Sequence, residues 1–136
     1  MTTLLSRPSV RPLLWAAPLA GVLAALVNVV LYLTTRGAFE GVRVGPQQVP
    51  FTAAPIALFS VVGALGAGAV YALLARLTRK ANRIFAVVAG VVLLASFVTP
   101  FSIPEAPGTV VIVLNLMHVV VYALVMALVP RRGGRG

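Results

Sequence analysis

The chain has 136 residues, of which 60% are hydrophobic and 10% charged, with a net charge of +9 and a mean hydropathy of +1.05. A soluble domain carries roughly 25% charged residues to clothe its surface in water, so this composition excludes one and turns most of the outer surface to lipid. The absence of cysteine excludes disulfides, thiolate zinc and iron–sulfur sites. The basic residues cluster at the ends of apolar runs, where anionic lipid headgroups explain them and no nucleic-acid partner is implied.

Four uncharged windows separate the charges: 24 residues between Arg11 and Arg36, 32 between Arg43 and Arg76, 21 between Arg83 and Glu105, and 25 between Glu105 and Arg131. Each meets the ~20 residues that a helix needs to cross the hydrocarbon core. Barrel strands would instead alternate over roughly ten residues. The expected fold is all-α: a polytopic membrane protein with four transmembrane helices in an up-down bundle, one domain over residues 1–136.

Span one is expected at residues 13–35, with Trp15 as an interfacial anchor. Pro18 falls in its first turn or just beyond, where a missing N–H does least harm. The apolar run is too long for a secretory signal and no small-x-small cleavage site follows it, so it reads as a retained span. A loop rich in glycine, proline and glutamine follows, with Glu40 between Arg36 and Arg43 and a segment at Val42, Arg43 and Val44 too brief to assign as a strand. Span two is expected at residues 53–75, opened by Thr52 as N-cap with Pro55 in the first turn. The segment 76–83 then carries four positive charges. Span three is expected at residues 84–101, ending at Thr99-Pro100. A turn containing Pro104, Pro107 and Gly108 leads to Thr109 as the next N-cap, and span four occupies residues 109–129 before Pro130.

Lys and Arg number nine in the N-terminal segment, the 76–83 segment and the C-terminal tail, and two in the remaining loops, which also hold both acidic residues. The positive-inside rule therefore expects both termini on the cytoplasmic side of the cell membrane. The two halves of the chain share no pattern that would indicate an internal repeat.

Small residues recur at four-residue spacing in the first two spans: Ala17, Gly21 and Ala25, with Ala20, Ala24 and Asn28 beside them, and Ser60, Ala64 and Gly68. In lipid such spacing lets backbones approach closely, either within the chain or across a homodimer face. The glycine run at residues 63–68 has no preceding strand and is not a phosphate loop.

Polar residues within the spans cost free energy unless partnered. Asn28, Ser60, Ser96 and Asn115, one per span, all fall at a depth of roughly 8–11 Å from the same boundary at a helical rise of ~1.5 Å per residue. They form an expected polar layer on the bundle axis. Asn115, His118 and Tyr122 share a helical face, with Met126 continuing it. His118, the only histidine, has two kinds of reading. It is either a neutral link hydrogen-bonded to Asn28, Tyr32 or a serine on a neighbouring helix, or a proton relay, haem ligand or pocket handle. Bis-histidine haem ligation within one chain is excluded by the single histidine. The expected spans hold no Asp, Glu, Lys or Arg, against an ion-coupled carrier. With two acids and one histidine, no triad, carboxylate pair or metal cluster assembles. The expectation is no enzyme, no catalytic residue, no metal and no cofactor.

Several segments bear a resemblance: Val27-Asn28-Val29-Val30-Leu31-Tyr32, the close of span two at Ala72-Leu73-Leu74-Ala75-Arg76-Leu77-Thr78-Arg79, Thr99-Pro100, and Asn115-Leu116-Met117-His118. Together they resemble a family of small four-helix bacterial membrane proteins, of the kind common in high-GC Gram-positive bacteria, classed as a domain of unknown function. The likeness covers residues 13–129, with the Met117-His118 pair as its most distinctive element. It implies fold and an inner-membrane location, and no activity. Two functions stay open. One is a structural or accessory membrane component, partnered by lipids and by a homo-oligomer or larger membrane complex. The other is a small-molecule or lipid-binding protein, or a small oligomeric transporter, with an Asn/His/Tyr pocket inside the membrane.

Overall fold

Long runs of Leu, Val and Ala satisfy their backbone polar groups in lipid only by coiling into helices, and the four windows do so. The structure, a computed structural model, describes residues 11–133. Helices α1 (Arg11–Thr35), α2 (Ala53–Leu77), α3 (Ala81–Ser96) and α4 (Gly108–Gly133) make up the bundle. All four belong to segments long and apolar enough to cross a membrane: Leu13–Phe39, Ala53–Leu77, Ala81–Ser102 and Gly108–Pro130. The protein is a multi-pass, all-α membrane protein. The basic tails around Arg7 and Arg135, which entered the orientation count, lie outside the described residues.

Several boundaries differ from expectation; at the basic turn this is because charged residues mark the membrane interface while the helices continue past it. The basic segment between α2 and α3 is helical except for Thr78–Lys80, a turn in which the Thr78 hydroxyl accepts the Lys80 N–H at 3.1 Å. Arg76 lies in the last turn of α2 and Arg83 in the first turn of α3, both exposed. Helix α1 begins early enough that Pro18 lies in its interior, where the Leu14 carbonyl loses its usual i+4 donor. Helix α3 ends at Ser96, and a 3₁₀ turn at Thr99–Ser102 completes the span. Helix α4 starts at Gly108 rather than after Thr109, and runs through Pro130. Thr52 occupies the N-cap of α2 with extended backbone but makes no side-chain cap bond.

The α1–α2 interface is built from the small-residue stripes. Ala17, Ala20, Gly21, Ala24 and Asn28 are buried on α1, as are Ile56, Ser60, Ala64, Gly68 and Tyr71 on α2; Ala25 is only half-buried. A Cβ placed on Gly68 would stand 2.4 Å from Ala17 Cβ, and one on Gly21 would stand 3.0 Å from Val61 Cα. Glycine at both positions sets the distance between the helices. At the end with the basic turn, Leu13, Tyr71, Ala81, Phe85, Val125 and Val129 form the main core. There Tyr71 packs edge-on against Phe85 at 5.3 Å and donates its hydroxyl to Asn82 Oδ1 at 2.5 Å.

The opposite end is closed by the α1–α2 loop. It forms a 3₁₀ turn at Arg36–Phe39 and a two-residue hairpin of β1 (Arg43–Val44) with antiparallel β2 (Val49–Pro50). Gly41 and Gly45, at φ +81° and +72°, reverse the chain on either side of β1. Phe39 stacks on Phe51 at 5.1 Å and meets Tyr32 edge-on at 5.2 Å, while Tyr32 donates its hydroxyl to the Phe51 carbonyl at 3.1 Å.

Helix α3 is held least. Of the most apolar 18-residue window in each span, 11% is buried in α3 against 39% in α1.

Candidate functional site: an intramembrane slot

Asn28 is carried on the small-residue face of α1, which brings its side chain between α2 and α4, and it is 1% exposed. Its Nδ2 donates to Ser60 Oγ at 3.0 Å and to the Met117 carbonyl at 3.3 Å, linking three helices through one amide. Ser60, 4% exposed, spends its own proton on the Ile56 carbonyl at 2.8 Å. Both partners of Asn28 are thus acceptors, which fixes the amide with nitrogen toward them. Its Oδ1 is left buried with no partner.

The other members of the expected layer do not join this link. Ser96 donates to the Leu93 carbonyl in its own helix at 2.7 Å. Asn115 has a buried Oδ1 without a partner. His118 bonds neither Asn28, Tyr32 nor a serine: its Nδ1 lies 2.8 Å from the Leu114 carbonyl, one turn back in α4. An imidazole on an apolar helix finds that carbonyl at no entropic cost beyond one rotamer, as a hydroxyl does. A carbonyl only accepts, so Nδ1 carries the proton and Nε2 is an acceptor in the neutral ring.

What gathers most of these residues is a slot rather than a network. A cavity of about 820 Å³ lies between α2, α3 and α4, and Asn28, Ser60, Ser96, His118 and Tyr122 line it; Asn115 does not. Its size falls within the ~300–1,000 Å³ of small-molecule sites. Its walls run from Pro55 to Val70 on α2 and from Leu114 to Val125 on α4, about 22 and 16 Å at ~1.5 Å per residue. No charged residue lines it, and most of the wall is Val, Phe, Ile, Leu, Ala and Gly. Phe85 and Val125 bound it toward the basic turn; Val44, Phe51 and Ile103 bound it toward the loop. A smaller recess of about 330 Å³ lies beyond Phe51 among Arg36, Glu40 and Arg43. Among the described residues no group of three or more His, Cys, Asp or Glu is placed to hold a metal ion.

Sequence reasoning offered an Asn/His/Tyr pocket within the membrane as one of two readings, and missed its apolar walls and three of its contributors. Gly63 and Gly66 belong to the glycine run set aside above as no phosphate loop, yet a Cβ on Gly66 would meet nothing within 4 Å and one on Gly63 only Val121 Cγ1 at 3.9 Å. The Met117 carbonyl carries no sequence signal at all. The offset of Gly63 and Gly66 from the buried stripe Ser60, Ala64, Gly68 was the one available hint, since glycine off the contact face leaves volume rather than closeness.

No curated protein and no solved structure matches the chain. A family model does match, over residues 8–135 and so nearly end to end: the chain belongs to a family of unknown function, DUF6069.

Proposed function

We propose that this membrane protein is not an enzyme but a binder of elongated apolar molecules of the lipid acyl-chain type, held in the slot between α2, α3 and α4. The observation that supports this reading is the slot itself: apolar, uncharged, and as long as half or more of a hydrocarbon core ~30 Å thick. The slot is open along part of its length, with Phe59 and Val92 on its walls exposed, so a chain from the surrounding lipid packs into it without desolvating a charge. The reading takes the membrane as the cell membrane, with the basic turn and both termini cytoplasmic.

A second reading, as an accessory component of a homo-oligomer or larger complex, draws on the exposure of α3, whose outward Val87, Val91 and Leu94 are all more than 60% exposed. The test of the first compares wild type with Gly66→Leu, a substitution into open space. After purification in mild detergent and exhaustive exchange, mass spectrometry should find apolar molecules retained by the wild type and largely absent from the filled variant. Equal retention by the two, with both folded by circular dichroism, would overturn the proposal.

A further inference from the structure

The polar groups along the slot are not a random set of donors and acceptors. Every serine and threonine proton there is committed to a main-chain carbonyl of its own segment: Ser60 to Ile56 at 2.8 Å, Ser96 to Leu93 at 2.7 Å and Thr99 to Ser96 at 2.7 Å. The Asn28 amide protons face Ser60 Oγ and the Met117 carbonyl. His118 places its proton on the Leu114 carbonyl. What remains unused is acceptor capacity, namely Asn28 Oδ1, which has no partner, His118 Nε2, and the hydroxyl lone pairs. Tyr122 alone keeps an uncommitted donor among the lining groups.

Asn28 and His118 also stand at one depth, because Asn28 bonds the carbonyl of Met117, the residue next to His118. This is about a third of the way along the α4 wall of the slot, which runs from Leu114 to Val125. An anionic head would meet acceptors and no cation there, and ionised groups in such surroundings are costly. A purely hydrocarbon chain would cover His118 Nε2 without giving it a donor, at about 1–3 kcal/mol for a buried group.

We infer that the ligand of the slot is a neutral chain molecule bearing a hydroxyl, a long-chain alcohol or hydroxyl-bearing neutral lipid, whose O–H donates to His118 Nε2 beside Asn28 and whose oxygen accepts from Tyr122. This rests on the reading of the slot as a ligand site. It adds the chemical class and the residue that selects it.

The experiment uses the full chain in nanodiscs and an alkyl diazirine as photolabel, with tetradecanol, its methyl ether and tetradecane as competitors at matched mole fraction. The ether keeps chain and oxygen and lacks only the donor. Labelling should fall on residues of the slot, and tetradecanol should compete more strongly than either analogue, by on the order of three- to tenfold for one net hydrogen bond. His118→Phe should abolish that preference while the ether competes as before, which also reports that the slot is intact. No labelling in the slot would overturn both the binding proposal and this inference. Slot labelling with equal competition by alcohol and ether would overturn the inference alone. A preference that survives in His118→Phe would overturn the assignment to His118.

Discussion

The closeness of α1 and α2 is the feature of this fold most open to quantitative test, at Gly68. In the Gly68→Ala variant the new methyl stands 2.4 Å from Ala17 Cβ, while ordinary contact begins near 3.4 Å, so the helices must part by about 1 Å. Neither atom can rotate away, because both are first carbons on rigid helices. A gap of that size forfeits a quarter to a half of the dispersion energy of each contact along the seam, and overpacking of this kind costs about 1–3 kcal/mol. The substitution also gains helix propensity, ~0.8–1.0 kcal/mol. Gly66→Ala gains the same and meets nothing within 4 Å, so the difference between the two variants isolates the clash. Reversible unfolding in mixed micelles should place Gly68→Ala about 1–3 kcal/mol below Gly66→Ala. Ala17→Gly removes the opposing carbon at the same ~0.8–1.0 kcal/mol of helix propensity, so against the Ala17→Gly single variant Gly68→Ala should no longer show the clash. If Gly68→Ala equals or exceeds Gly66→Ala in stability, or if the clash persists in the Ala17→Gly background, the claim that glycine sets this interface is wrong.

Two further outcomes follow from the polar residues and the charge pattern. Asn28→Ala severs the only side-chain bonds that join α1 to both α2 and α4 among those described here; at ~0.6 kcal/mol per interhelical bond in membranes, unfolding should register a loss of about 1 kcal/mol, with Ser96→Ala, whose bond is local, near zero. Equal losses would remove the distinction between linking and local bonds. For orientation, a membrane-impermeant thiol reagent applied to intact cells should label Gln47→Cys and leave Lys80→Cys untouched until the cells are opened, both sites being exposed; the reverse pattern would invert the topology.

The parts of this structure that could be read in the sequence are those where one residue type has one physical consequence. Charge-free windows longer than a bilayer crossing leave a backbone no choice but the helix, and a small residue at every fourth position of two neighbouring spans leaves little choice but close approach. Boundaries were harder, because Arg76 and Arg83 reach the interface with long side chains while their backbones stay helical, so the last charge before a span is not its first residue. Depth could be counted from the span ends, and it correctly put Asn28 level with Ser60. The direction in which a side chain leaves the helix axis could not, and that decides whether Ser96, Asn115 and His118 meet another helix or bond their own. The slot was least legible. Val88 and Val92 would be the same residues whether they faced lipid, a neighbouring helix or empty space, and only the distance of α3 from α2 tells these apart.

That distance has a mechanical meaning. Helices α2 and α3 are joined by three residues and pinned beside the joint by Tyr71 against Phe85 and Asn82, while beyond Phe85 the slot keeps them apart. The pair is therefore anchored at the basic turn and splayed along the slot. From Phe85 to Ser96 the α3 wall is roughly 16 Å long, and its far end is held by the 3₁₀ turn at Thr99–Ser102, which packs on α4 with Pro100 buried, so the width of the slot is set by two anchors outside it rather than by the residues that line it.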